Sequence, residues 1–168
     1  MKQKHLSITS GIPGSGKSTW LKNNCPNALI ISRDAIRFAL LKKGEDYFSK
    51  EDEVLKQFYF EINRALNDEA DNREIIVDAT HLTIKARNKL FNNLDTKNVS
   101  MKSIYYFKVP LSVCLKRNAG RTGLARVPDN VIKRMYHSIV PPMISEGFDT
   151  IYYINEFGKI ERSENNYG

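Results

Sequence analysis

The residues best equipped for chemistry come early, in "GIPGSGKS", Gly11 to Ser18, where three glycines, a lysine and two serines fall within eight positions. The run matches G-x-x-x-x-G-K-S/T in full. Phosphate oxygens need close donors, and a backbone approaches them only where no side chain intervenes. Glycine also reaches the positive-φ conformations that turn successive N–H groups inward as a nest. A helix opening near Lys17 would add its positive dipole end. Gly14, Ser15, Gly16, Lys17, Ser18 and Thr19 are therefore read as nucleotide-phosphate ligands. Lys17 is the cation for the β- and γ-phosphates, and Ser18 offers its hydroxyl to Mg²⁺. The bland alternative is a loop of tight structural turns. With glycine near 7% of residues, a chance match arises in well under roughly 1% of chains this long.

A second constellation is "ISRDAIR", Ile31 to Arg37. Asp34 and Arg37 share a face if a helix starts there. A carboxylate at a strand's C-terminal end can take a proton from an attacking hydroxyl, and an arginine one turn on can fix the acceptor. Against this stands a plain helix cap with a solvated neighbour. In "EIIVDATHL", Asp78 ends an apolar run and should face the same crevice. It can serve Mg²⁺ through water, orient Arg37 or meet the acceptor, and these stay open. His81 lies just beyond, within reach of an acceptor, although a lone loop histidine is more often structural.

The third is "LKRNAGRTGLARVPDNVIKRMYHS", Leu115 to Ser138, with six basic residues between Lys116 and Arg134 against Asp129 alone. Arg117 and Arg121 share a face if one helix carries both. Gly120 and Gly123 offer a hinge before Pro128 reopens a helix. A mobile arginine-bearing lid excludes water and stabilises transition-state charge; a charge run is otherwise a solvated face. Val127 is a candidate apolar wall for an acceptor base.

The elements that must position these groups alternate. Strands are expected at Leu6–Ser10, Ala28–Ser32, Glu74–Ala79, Met101–Val109 and Thr150–Asn155. Helical stripes cover 50–70, 83–95 and 129–140, the first opened by a capping box of Ser49 and Asp52. Such alternation predicts an α/β fold, a parallel sheet with helices on both faces. The aromatic residues of 47–60 are read as the core face of a helix in preference to a base-stacking surface. Residues 1–155 form one domain, and 156–168 a polar tail or short terminal addition.

At 168 residues the chain can bury a proper core, and its net charge of +7 leans toward a polyanionic partner. Cys25 and Cys114 show no second-ligand pattern and read as reduced thiols. No secretory leader or membrane span is evident, so a cytoplasmic protein without membrane association is expected. A GTPase should show N-K-x-D and D-x-x-G, and both are missing from the sequence.

Taken in order, "GIPGSGKSTW", "SRDAIR", "IIVDATHL" and "LKRNAGRTGLARVPDNVIKRMY" resemble the kinase domain of bacteriophage polynucleotide 5′-hydroxyl kinases and the small P-loop kinases around them. The resemblance spans residues 5 to about 140. It implies a three-layer P-loop kinase fold with a five-stranded parallel sheet and an Arg-bearing lid. It also implies ATP and Mg²⁺ as cofactors, and transfer of the γ-phosphate to a nucleic-acid 5′-OH. By the same resemblance Asp34 is the general base and Arg37 engages the acceptor end. Arg121 meets the donor phosphates and Arg117 flanks the nucleotide. The chain departs from the pattern at His81, where asparagine often follows the threonine, and at Ala79, which separates Asp78 from it. A kinase of a nucleoside or small metabolite would use the same residues. A non-catalytic nucleic-acid-binding module that keeps ATP would have no need of Asp34.

Overall fold

The computed structural model describes residues 3–166. In chain order the elements are β1 (Lys4–Ser10), α1 (Lys17–Asn24), β2 (Leu29–Ser32), α2 (Arg33–Leu40), α3 (Glu51–Asn67), β3 (Ile75–Asp78) and α4 (Ile84–Asn92). There follow β4 (Val99–Phe107), α5 (Leu111–Ala119), α6 (Asp129–Ser138), β5 (Thr150–Ile154) and β6 (Ile160–Asn165). The sheet order is β2-β3-β1-β4-β5-β6, with the first five strands parallel and β6 antiparallel to β5. This is an α/β fold with a largely parallel sheet, and its five parallel strands are those anticipated from the β-branched and aromatic runs.

The period-two alternation of a strand explains why both faces are covered. Ile75 and Val77 of β3, with Ile104 and Tyr106 of β4, enter one core together with Phe58, Ile62 and Leu66 of α3 and Leu90 of α4. Ile76, Tyr105 and Phe107 point the other way, into a core shared with Trp20 and Leu21 of α1, Cys114 of α5 and Ile132 of α6. Burial pushes the Cys114 thiol above its usual range, which suits a packing residue and not a nucleophile.

Two expectations are corrected, and for the C-terminal segment one of two alternatives holds. The segment read as a polar tail or terminal addition is the latter: β6 closes a hairpin on β5, and Trp20 Nε1 donates to the Gly158 carbonyl at 2.9 Å. A polar edge strand gives no apolar signal, because it has no face to bury. The Ser49–Asp52 capping box does not form: Lys50 is the N-cap, while Ser49 Oγ donates to the Asp46 carbonyl at 2.7 Å. The aromatics of 47–60 are not one core face either. Phe58 is buried, but Phe48 and Phe60 are 60% and 58% exposed, and Tyr47 and Phe48 precede the helix altogether.

The parallel strands deliver their C-terminal ends, with the start of α2 and the loops after β1 and β3, to one edge of the sheet, where an open α/β fold forms its crevice. Those loops are pinned together. The Gly11 N–H donates to the Thr80 carbonyl at 3.0 Å, and Ser10 Oγ to the His81 carbonyl at 3.0 Å. Arg87, fully buried, donates Nη1 to that same carbonyl at 3.0 Å. Its other nitrogens grip Glu146, Nε to Oε1 at 2.7 Å and Nη2 to Oε2 at 3.1 Å. A bidentate buried pair fixes geometry more dependably than it adds stability.

Candidate functional site

Gly16 caps α1 in the left-handed region at φ 91°, and Gly14 lies there too at φ 84°. A Cβ on Gly14 would come 2.4 Å from the Cys114 carbonyl oxygen, so α5 packs against this turn too closely for any side chain. Among the described residues, the N–H groups of Gly14, Gly16, Lys17 and Ser18 have no acceptor within the chain, and the buried Ser15 Oγ has no partner. Converging free donors at a helix start are what an oxyanion needs. Lys17 Nζ curls over the loop, donating to the carbonyls of Gly11 at 2.8 Å and Ile12 at 3.2 Å. Burial lowers its pKa and nearby Arg121 lowers it further, while the carboxylates of Asp78 and Asp34 oppose the shift. Four groups expected from separate motifs therefore share one electrostatic neighbourhood.

Asp78, the last residue of β3, is hydrogen-bonded to the end of the phosphate loop. Its Oδ2 accepts from Ser18 Oγ at 3.1 Å and its Oδ1 from Thr9 Oγ1 at 2.9 Å. It makes no hydrogen bond to Arg37, so of the three roles open to it the geometry favours the one at the Mg²⁺ position. Magnesium prefers hard oxygen donors and keeps most of its waters. An exposed serine hydroxyl backed by a buried carboxylate suits such an ion, which Ser18 would hold with Asp78 behind. Thr19 is exposed on the first turn of α1.

Asp34 stands at the start of α2, but it is not the cap. Ser32 Oγ accepts from the Ala35 N–H at 3.2 Å, which leaves the aspartate free. Its side chain is 60% exposed. One oxygen, Oδ1, accepts from Arg37 Nη1 and from the Tyr47 hydroxyl, the latter at 2.7 Å. Oδ2 takes no hydrogen bond from the described residues. The carboxylate is thus oriented through one oxygen and open through the other.

Arg37 differs from its expectation. Only 4% exposed, it gives Nη1 to Asp34 and Tyr47 and Nη2 to both oxygens of Glu51, at 3.0 and 2.8 Å. Only Nε is without a partner. Its place is behind the aspartate, tying α2 to α3, and its fork is already occupied by carboxylates. Burial works against the Glu51 charge, yet hydrogen bonds from Arg37 and Arg33 hold its carboxyl below the usual range. Burial and the bond to Asp34 push the Tyr47 phenol upward, so it remains a donor.

His81 is buried, and its Nδ1 lies 2.8 Å from the Thr9 carbonyl. A carbonyl can only accept, so Nδ1 carries the proton. Burial lowers the pKa to about 4, and the Arg33, Lys17 and Arg87 cations push the same way. Its φ of 40° makes it the one non-glycine residue in positive φ among the described residues. It is anchored to β1, in the field of the loop lysine.

The segment expected to form a lid divides into two arginine environments. α5 ends at Ala119, so Arg121 lies beyond it and the shared helical face with Arg117 does not exist. Arg117 flanks the loop, with Nη1 3.4 Å from the Gly14 carbonyl and Nη2 2.5 Å from that of Glu156. Arg121 is exposed but close enough to act on Lys17. Val127 is half-buried against the second core, its backbone clamped at both ends by buried Asn118, at 2.6 and 3.0 Å. Sequence reading missed Asn118, Glu51, Tyr47 and Thr9. Asn118 stands inside the basic "LKRN" run, where its charged neighbours drew the attention; Glu51, Tyr47 and Thr9 belong to none of the motifs, and the roles of all four come from tertiary neighbours.

Fold and site together define a P-loop kinase architecture. Residues 6–142 match the AAA domain family AAA_33, and the chain belongs to that family. A candidate kinase from Chloroflexus aurantiacus superposes with a TM-score of 0.70 at 15% identity, over 92% of this chain and 89% of that one. A gluconokinase from Sinorhizobium meliloti gives 0.55 at 17% identity, over 92% and 84%. A chain of the Pnkp1/Rnl/Hen1 RNA repair complex gives 0.68 at 22% identity, over 82% of this chain but 44% of that one. No helix among the described residues is long and apolar enough to cross a membrane.

Proposed function

We propose that the protein is an ATP-dependent phosphotransferase that moves the γ-phosphoryl group of ATP to the 5′-hydroxyl of a DNA or RNA end. The observation that carries this is the Asp34 carboxylate, relieved of cap duty by Ser32, held by Oδ1 and open at Oδ2, in the same field as Lys17. Phosphate binding alone needs no such base, which counts against a passive ATP-binding module.

The acceptor oxygen forms a bond to the γ-phosphorus as the β–γ bridging bond breaks and ADP departs; the hydroxyl proton passes to Asp34 Oδ2. Loop N–H groups, Lys17 and Arg121 face the charge that spreads over the moving group. Ser18, with Asp78 behind it, would hold Mg²⁺, which when bound would neutralise further charge on the phosphates. Arg37 and Tyr47 keep the carboxylate aimed. Likeness to a chain of an RNA repair complex and a net charge of +7 support a polynucleotide acceptor. The gluconokinase likeness supports the second reading, a small-metabolite acceptor on the same residues.

Transfer from γ-labelled ATP to 5′-hydroxyl oligonucleotides, nucleosides, sugar acids and water separates these readings. Labelled oligonucleotide is expected to dominate; label on sugar acids or nucleosides alone would replace it with the second reading. Asp34→Asn should retain ATP yet lose most turnover, and unchanged turnover would remove the base assignment.

A further inference from the structure

We propose that Phe38, Tyr47 and Phe48 form a stacking platform for the terminal base of the acceptor strand; this deepens the reading above and rests on it. The three rings make one cluster. Tyr47 meets Phe48 edge-on with centroids 4.7 Å apart, and Phe38 at 6.3 Å. Phe48 is 60% exposed and Phe38 40%, although each neighbours well-packed helices. Large apolar rings left in solvent as a contiguous patch mark a binding surface more often than isolated ones do.

Continuity with the reacting group identifies the occupant. The Tyr47 hydroxyl is hydrogen-bonded to Asp34, so Phe48 stands one ring away from the base that receives the acceptor proton. In a nucleic acid the terminal base is one sugar away from its 5′-oxygen. A strand whose hydroxyl reaches Oδ2 therefore carries its base to the neighbourhood of these rings. The platform is also rigid on its inner side. The Arg37 guanidinium lies 4.3 Å from the Tyr47 ring centroid and 5.7 Å from that of Phe48, and Glu51 fixes that guanidinium in turn. Pre-ordering of this kind lowers the entropic cost of stacking. Every base has a π-face, so such a surface takes a 5′ end without reading its sequence.

The test is steady-state transfer to a 5′-hydroxyl oligonucleotide and to the same strand with an abasic first nucleotide, using wild type, Phe48→Ala and Phe48→Trp. Stacking of a base on an aromatic ring corresponds to roughly 5- to 150-fold in affinity. Wild type should show an acceptor KM about tenfold or more higher for the abasic strand. Phe48→Ala should erase that ratio, and Phe48→Trp should restore it. Because the ratio is internal to each variant, any change in the folded fraction cancels. Equal KM values for both strands in wild type, or a ratio that survives Phe48→Ala, overturns the platform while leaving the polynucleotide reading intact. Absence of transfer to any oligonucleotide overturns that reading and the platform with it. A change in sedimentation on Phe48→Ala with the ratio preserved assigns the patch to self-association and also overturns it.

Discussion

At the scale of single residues, the assignments turn on which hydrogen bonds are already taken. Ser32 takes the cap, so Asp34 keeps an open oxygen; Arg37 gives both terminal nitrogens to neighbours, so it orients instead of reaching out. His81 makes a prediction of a different kind. Its ordinary pKa of 6.5 falls to about 4 in the fold. Above about 6.5 the imidazole is neutral in both states and its burial costs nothing extra. As the pH falls, the unfolded chain takes the proton first, so stability declines through this window down to about 4, by about 3 kcal/mol. His81→Asn, which tolerates the left-handed backbone, should flatten the pH dependence of urea unfolding between those values. A slope identical to wild type would place the titrating group elsewhere. That a histidine stood near the site was readable in "DATHL"; that it is buried and neutral was not, because the partner of its ring is the Thr9 carbonyl on β1, distant in the chain.

At the scale of elements, the phosphate loop depends on α5 as much as on its own glycines. Left-handed backbone at Gly14 was anticipated from the motif, but that a Cβ there would fall 2.4 Å from the Cys114 carbonyl oxygen came only with the packing. Gly14→Ala faces both penalties at one position. It should lower stability by about 1–3 kcal/mol and weaken ATP binding in parallel, read by thermal unfolding with and without nucleotide. A variant that melts like wild type would mean that α5 yields to the loop. Helix and strand boundaries were legible where a stripe faced a core, as in α3 with Val54, Phe58, Ile62 and Leu66. They failed where polar residues decided: Ser49 went to a turn, α5 stopped before Arg121, and β6 had no apolar face to announce it.

At the scale of the whole molecule, charge is the property that association can report. With a net charge of +7, binding of a polyanionic acceptor should weaken steeply with ionic strength as counterions lose their advantage on release. Between about 50 and 200 mM salt the oligonucleotide KM should rise roughly tenfold or more, whereas a neutral nucleoside acceptor should hardly respond. A flat salt profile for oligonucleotides would count against a polymer held by this surface.

From its sequence alone the chain determined the phosphate loop, the alternation of strands and helices, and the two carboxylates at the C-terminal ends of strands, Asp78 closing β3 and Asp34 just past β2. Each is written locally, in glycine spacing, in hydrophobic period and in a charged residue at the end of an apolar run. Tertiary structure decided which carboxylate serves the loop and which stays open, which arginine is a strut, and which aromatics face water. Those choices depend on Glu51, Tyr47, Ser18 and Thr9 arriving from other segments, and no window of sequence contains the partners that settle them.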